Sequence, residues 1–277
     1  GRVAVNLLNT MISAKLNGNN FDVEKALFEV LGMKDALSGI AEFKTDLEIN
    51  GGAKTQEEQM RSIKGSVDFE IVNGQLGPFG KLENLILAEN IRESAFFQTA
   101  LGGVINSITQ IETSHFDKLT GHVVMDNGVA SLLPLTSKGP VMCLHIAGDM
   151  NIITNEADMK LRAKLGSQLA NMLGPLAAIN PINLVKATPG LNVGAAKMFA
   201  IFCEVLTPDE IGQIPSFDDK FGVMSTTNFQ IVLRGSTLKP LSMIKSFKWI
   251  ATAGQMQAAE NFVETLPEAD PENPNAS

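Results

Sequence analysis

The segment from Ile63 to Gly80, IKGSVDFEIVNGQLGPFG, carries the pattern that most restricts how this chain can fold. Val67, Phe69 and Ile71 alternate with polar residues, so the apolar side chains recur with a period of two. That period places them on one face of a β-strand. The dipeptide Asn73-Gly74 follows, and it tolerates positive φ at both central positions of a type I′ turn. The segment therefore predicts a hairpin arm with one apolar and one polar face.

A second copy of this pattern lies between Leu119 and Leu133, LTGHVVMDNGVASLL, and contains the dipeptide Asn127-Gly128. Two copies of the same hairpin pattern predict a sheet of repeated antiparallel strands. The same period predicts further strands at Val3–Leu16, Ile40–Asn50, Val141–Ile153, Ala157–Leu165 and Thr226–Gly235. We expect the first of them to turn at residues 17–20, NGNN.

Short helices are predicted at a few places between the strands. Asp22 is a candidate N-cap for a helix at Val23–Leu31. Thr55 and Glu58 resemble a capping box that begins a helix at Gln56–Ile63. The remaining helical patterns are Glu89–Ile108, the first part of Gly166–Val185, and Gln255–Leu266.

The chain divides into three parts. Residues 1–254 are predicted to form one elongated β region, residues 255–266 a short helix, and residues 267–277 a disordered acidic tail. Within the β region, Lys186–Asp219 is rich in glycine and proline and predicts no regular element. The abrupt start in strand-like sequence, RVAVNLLNT, indicates a fragment of a longer chain.

Charge and composition exclude some classes of partner. The net charge is −8, and no cluster of Lys and Arg is interleaved with aromatic residues, so we expect no nucleic-acid binding. No apolar run reaches the roughly 18 residues that a membrane-spanning helix requires. The two cysteines, Cys143 and Cys203, are interpreted as small buried apolar residues, with a disulfide between them as the alternative.

The sequence carries no pattern for catalysis or metal binding. His115, His122 and His145 do not lie at metal-ligand spacing from one another. Cys143 and His145 share one face of a predicted strand, but no second pair completes a tetrahedral site. No nucleophile elbow, P-loop, zinc-protease helix or dinucleotide fingerprint occurs in the right context. We therefore expect a protein that is not an enzyme and that binds no metal or cofactor.

The order of these elements resembles the C-terminal region of the AsmA-like family. The resemblance rests on an alternating strand, a short helix and IKGSVDFEIVNGQLGPF, and then on FDKLTGHVVMDNGVASL. ADMKLRAKL and TNFQIVLRGSTLKPL follow in the same order, so the similarity covers Ile40 to Leu241. Two departures are that the family's usual acidic turn is replaced by Asn-Gly, and that Lys186–Asp219 has no counterpart.

The resemblance implies a bacterial envelope protein of the bridge-like lipid-transfer type. Its fold would be mainly β, a long curled antiparallel sheet that forms a groove, with a few short helices. The full-length protein would be anchored in the inner membrane by a segment outside this sequence, and this region would lie in the periplasm.

The residues themselves lead to two hypotheses, because the strands supply more apolar face than the few helices can cover. In the first, the apolar face curls around phospholipid acyl chains, which gain about 0.8 kcal/mol per buried CH₂ and need no hydrogen bonds. The second is a closed β-sandwich that acts as a scaffold and recruits other envelope proteins. The groove of the first hypothesis would be lined by Val67, Phe69, Ile71, Met125, Leu144, Ile146, Met159, Leu161, Ile231 and Leu233.

Overall fold

A computed structural model of the chain describes residues 1–6, 10–25, 29, 37–77, 114–166, 203–217, 225–254, 257 and 261. In chain order its elements are β1 (Arg2–Asn6), β2 (Met11–Asp22), β3 (Leu37–Asn50), α1 (Gln56–Ser62), β4 (Lys64–Leu76), β5 (His115–Asp126), β6 (Val129–Lys138), β7 (Met142–Asn151), β8 (Glu156–Gly166), β9 (Cys203–Val205), α2 (Pro208–Gly212), β10 (Ser225–Ser236), a 3₁₀ turn (Pro240–Met243) and β11 (Ile244–Ala251).

All of these strands belong to one sheet of 11 strands, in the order β1-β2-β3-β4-β5-β6-β7-β8-β10-β11-β9. Every neighbouring pair is antiparallel except β11 and β9, which are parallel. The sheet is open and curled, and the described helices are few and short. The predicted fold class, a mainly β curled antiparallel sheet, is confirmed. The described residues contain no second sheet, so a sandwich of two separate sheets does not form among them.

The register of the strands sorts the side chains onto two faces. Direct partners in an antiparallel ladder lie on the same face, and the next residue along each strand lies on the other. One row of direct partners consists of Phe43, Phe69, Gly121, Leu135, Ile146, Leu161 and Ile231. The row beside it on the other face consists of Glu42, Glu70, Thr120, Thr136, His145, Arg162 and Gln230. We call the two sides the apolar face and the polar face.

The two Asn-Gly dipeptides have different outcomes. Asn127-Gly128 joins β5 to β6 as a two-residue turn with φ of 47° and 77°, so this predicted hairpin is confirmed. Asn73-Gly74 does not end its strand, and the predicted hairpin there is wrong. Asn73 has φ of 51°, yet β4 continues to Leu76 and the ladder pairs Gly74 with Phe116. Asn73 and Gly74 form a β-bulge opposite the point where the β3–β4 register shifts, between Ser38 and Ile40. A bulge can hold a residue with positive φ, as a turn does, so the strand continues.

The N-terminal strand also differs from the prediction. The chain reverses before Met11 rather than at residues 17–20, so Val3–Leu16 is divided between β1 and β2. The asparagines and glycine of residues 17–20 lie inside β2, where the ladder to β3 shifts register between Gly18 and Phe21. Asn20 has φ of 55° at that bulge. A cluster of turn-forming residues therefore produces a bulge when β3 offers a partner along its whole length.

Most of the other predicted elements that the structure describes are present. β3, β7, β8 and β10 match the predicted alternating strands. Thr55 caps α1 by accepting a hydrogen bond from the Glu58 N–H at 3.1 Å. The Asp22 carboxylate accepts from the Lys25 N–H at 3.1 Å, as predicted for an N-cap.

Several predictions concern residues outside the described ranges. They are the helix at Glu89–Ile108, the segment after Gly166 up to Val185, the acidic tail at 267–277, and most of the helix at Gln255–Leu266. No described helix is long and apolar enough to cross a bilayer.

Two elements that the sequence pattern did not predict complete the far edge of the sheet. β11 pairs with β10, and β9 then adds three residues in parallel with β11. β9 comes from the Gly- and Pro-rich segment at Lys186–Asp219, and α2 follows it with a capping box formed by Thr207 and Glu210. A strand of three residues is too short to show a period of two, which explains why the pattern missed it.

Gly148→Ala should destabilise the protein more than Gly235→Ala. Both glycines lie in strands at φ of 141° and 129°, a conformation that costs other residues about 1–3 kcal/mol. A Cβ on Gly148 would overlap the carbonyl oxygen of Asp158 in β8, whereas a Cβ on Gly235 would meet nothing within 4 Å. Gly235→Ala is the control. We expect Gly148→Ala to lower the free energy of unfolding, measured in urea, by about 1–3 kcal/mol more than the control does. Equal losses in the two variants would show that the β7–β8 approach does not depend on this glycine.

Candidate functional site

The ten residues predicted to line a groove all lie on the apolar face. Val67, Phe69 and Ile71 alternate along β4, and the register carries their rows into the neighbouring strands. The described ladder includes the direct pairs Ile146–Leu161, Leu161–Ile231 and Met159–Leu233. Met125 and Leu144 belong to neighbouring rows on the same face. Met125 pairs with Ala130 and Leu144 pairs with Ala163, and each alanine lies two residues from Leu132 or Leu161 on the apolar face. The period-two pattern therefore placed these side chains, which come from five strands, on the same face.

Burial divides the ten residues into two groups. The rest of the chain already covers Ile71, Leu144, Ile146, Leu161, Ile231 and Leu233, whose exposed fractions are between 0% and 6%. Val67, Phe69, Met125 and Met159 are half-buried. A bound chain could contact the four half-buried side chains without displacing protein, so they are the sharper candidates for a lining.

The apolar face is most open at its N-terminal edge. Val3, Val5, Leu16 and Phe21 are 63%, 57%, 38% and 44% exposed. The register of β1 and β2 with β3 assigns all four side chains to the apolar face. The sequence prediction of the lining omitted these residues. The alternation of apolar and polar residues in MISAKL could have revealed Leu16.

The polar face is covered by short contacts between neighbouring strands. Lys15 Nζ lies 2.6 Å from Asp46 Oδ2, and Lys118 Nζ lies 2.7 Å from Glu70 Oε2. Further pairs are Ser131 with Asp149, Arg234 with Asp158, and Thr120 with Thr136. Exposed pairs of this kind contribute little stability each, and their role is to keep this side of the sheet hydrated.

Residues 206–217, which follow β9, lie on the polar face as a strap that contacts β8 and β11 and lines a cavity beside His145 of β7. Arg162, which is 9% exposed, donates to Gln230 Oε1 at 2.8 Å and to Glu210 Oε1 at 3.1 Å. Lys164 Nζ donates to the carbonyl oxygen of Ile214 at 2.7 Å. Leu206, Ile214 and Ile250 form a small apolar cluster beneath the strap. Buried polar groups held in this way are costly to separate, so the strap is tied to the sheet.

The imidazole of His145 is buried close to the strap. His145 is 8% exposed and lies opposite Arg162 in the ladder, beside a cavity of about 350 Å³ that Lys160 and Gln213 also line. Burial, and then the nearby Arg162 guanidinium, lower the pKa of His145. Burial likewise lowers the pKa of Lys164. The site therefore favours a neutral imidazole.

The cysteines and histidines show no catalytic arrangement in the described ranges. Cys143 and Cys203 are both buried and form no disulfide with each other, which agrees with their interpretation as small apolar residues. Burial raises the pKa of Cys203 to about 12, so its thiol is a poor nucleophile. Cys143 and His145 share the polar face of β7, as predicted from their spacing. No group of three His, Cys, Asp or Glu side chains suited to a metal ion occurs in this part of the chain.

Comparison of the chain with protein-family models, curated proteins and solved structures finds no match. The resemblance to the AsmA-like family therefore stays a prediction from the sequence.

Stability should fall as the pH decreases through the range in which histidine titrates. Because the pKa of His145 is lowered in the folded state, the unfolded chain binds more protons below its ordinary pKa of about 6.5. His145→Gln should remove up to about 1.4 kcal/mol per pH unit of this dependence between about pH 6.5 and 5.5. The measurement is the free energy of unfolding in urea, determined at several pH values for the natural protein and the variant.

His115→Gln is the matched control for that experiment, because the His115 side chain is 42% exposed at the start of β5. The part of the pH dependence that His145→Gln removes should persist in this variant. If both variants retained the full dependence of the natural protein, the buried imidazole would not be its source.

Proposed function

We propose that this chain is a non-enzymatic lipid-transfer segment, in which the apolar face of the curled sheet holds phospholipid acyl chains. One observation carries the proposal. A single sheet presents rows of mostly apolar side chains on one side, and that side is largely buried at β7–β10 but partly exposed at β1–β5.

The open end supplies the chemistry that a hydrocarbon chain needs. Leu16 and Phe21 in β2, Val67 in β4 and Met125 in β5 offer apolar surface on one face of the sheet. An acyl chain gains about 0.8 kcal/mol for each CH₂ that it buries there. It needs no hydrogen bonds, so it can lie at any position along the rows and slide between them.

The cellular setting of the proposal is the bacterial envelope. The chain would work in the periplasm, between the inner and outer membranes, and would be anchored to the inner membrane in the full-length protein. This part of the proposal rests on the AsmA-like resemblance alone. Other envelope proteins would be its partners at the ends of the sheet.

A second candidate function, a scaffold that recruits envelope proteins, is favoured by the edge strand β1. Every residue of β1 is exposed, and among the described strands its only ladder partner is β2. An exposed edge strand offers unpaired N–H and C=O groups to a strand from another protein. The two candidates differ in what copurifies, because only the first requires bound lipid.

Val123→Glu should reduce bound phospholipid, and Val124→Glu should not. Val123 lies on the apolar face between Val67 and Leu132, whereas Val124 lies on the polar face between Ser66 and Ser131. Both valines are half-buried in β5, so the pair differs chiefly in the face that receives the charge. A carboxylate beside hydrocarbon costs several kcal/mol. We expect at least about a tenfold loss of phospholipid in native mass spectra and in organic extracts.

Circular dichroism and urea unfolding of both variants provide the control for folding. The proposal requires that Val123→Glu remains folded while it loses lipid. Absence of phospholipid from the natural protein, after expression with its envelope and gentle extraction, would contradict the lipid function and leave the scaffold. Equal lipid content in the two variants would also contradict it.

A further inference from the structure

A concave site lies mainly on the polar face, on the side of the sheet opposite the proposed lipid groove. It spans β2 to β6 and has a volume of about 670 Å³. Pockets that bind small molecules commonly have volumes of about 300–1,000 Å³. We call it the bulge pocket, because a β-bulge forms each of its two sides.

The two bulges lift residues out of the ladder on either side of the pocket. In β2 the register shifts between Gly18 and Phe21, which leaves Asn19 outside the pairing with β3. In β6 it shifts between Leu132 and Leu135, which leaves Leu133 and Pro134 outside the pairing with β5 and β7. Bulges redirect side chains and are over-represented next to functional sites. Here the bulge in β2 places the side-chain amides of Asn17 and Asn19 on one side of the pocket, and the bulge in β6 places Leu133 and Pro134 on the other.

His122 lies in the floor of the pocket, opposite the bulge in β6. Its neighbours Gly121 and Val123 pair with Leu135 and Leu132, so His122 itself has no direct partner in β6. Its Nδ1 lies 2.6 Å from Asp68 Oδ1, and the carboxylate accepts the Nδ1 proton. This contact fixes the ring and leaves Nε2 for another group. No described residue forms a hydrogen bond with Nε2.

The charges in the floor are mixed rather than of one sign. Glu42 and Glu70 are direct partners in β3 and β4, an arrangement that is unfavourable for like charges. Lys118, which does not line the pocket, pairs with Glu70 at 2.7 Å, and Lys44 lies opposite Asp68. The floor thus offers three carboxylate acceptors beside one ammonium donor. Because Lys118 adds a second ammonium group next to Glu70, the net charge around the pocket is small, and it gives no strong attraction for an anion or a polyamine.

Acceptors, donors and an apolar wall in one pocket fit a ligand that has the same mixture. A sugar ring presents vicinal hydroxyl groups, which both donate and accept, and C–H faces that pack on apolar side chains. Carboxylates and amides can bind adjacent hydroxyls, and Leu133, which is 54% exposed, can contact the ring face. We propose that the bulge pocket binds a neutral carbohydrate.

Titration of the isotope-labelled full chain with maltotriose, mannotriose and N,N′,N″-triacetylchitotriose, read by NMR chemical shifts, tests this proposal. We expect at least one of these neutral trisaccharides to bind with a Kd of about 1 mM or tighter. The shifts should be largest at Glu42, Asp68 and His122. Absence of shifts at these residues with all three sugars at about 20 mM would overturn the proposal.

Variants and charged probes complete the test. Glu42→Ala and His122→Ala should each weaken the affinity by about tenfold, because each removes a hydrogen bond that involves a charged or polarised group. Glu48→Ala is the matched control, because Glu48 lies on the polar face of the same strand and does not line the pocket. It should bind as the natural protein does. Tighter binding of spermidine or of glucose 6-phosphate than of every neutral sugar would instead assign the pocket to a charged ligand and overturn the proposal.

Discussion

Cross-strand register is the constraint on which the rest of the structure depends. From β3 to β10, apolar side chains such as Phe69, Ile146 and Leu161 occupy the same rows. A slip of one residue in any strand would send that strand's apolar side chains to the polar face and its charged ones to the apolar face. The register is therefore strongly determined wherever one side is buried. It also creates the two chemically different surfaces that the proposed functions need.

The apolar face combines two roles along its length. At β7–β10 the side chains of Leu144, Leu161 and Ile231 are at most 1% exposed, and full burial of a Leu or Ile contributes about 1.5–3 kcal/mol. At β1 and β2 the corresponding side chains remain exposed, so that end contributes less to stability. The closed half can hold the sheet together while the open half stays available to a ligand. A groove sealed along its whole length would be more stable but would have no room for an acyl chain.

The polar face is also divided. The strap of residues 206–217 ties the C-terminal half together through Arg162, Lys164 and a small apolar cluster. The N-terminal half has no such strap among the described residues and contains the bulge pocket instead. The pocket and the open apolar surface therefore lie back to back on β2–β5. Ligands on the two faces would contact mostly alternate residues of the same strands, and Phe69 would take part in both sites.

The sequence by itself determined the strand type, the two faces and the ten side chains that share the apolar face, because a period of two fixes the side of a sheet wherever a strand forms. It also determined the Asn127-Gly128 turn and the cap at Thr55, which depend on neighbouring residues only. Only the tertiary structure decided that Asn73-Gly74 and residues 17–20 form bulges, since that outcome depends on whether a partner strand continues past them. It also decided the place of β9, the burial of His145 and the bulge pocket. These features arise where residues far apart in the chain meet, and local periodicity carries no information about such meetings.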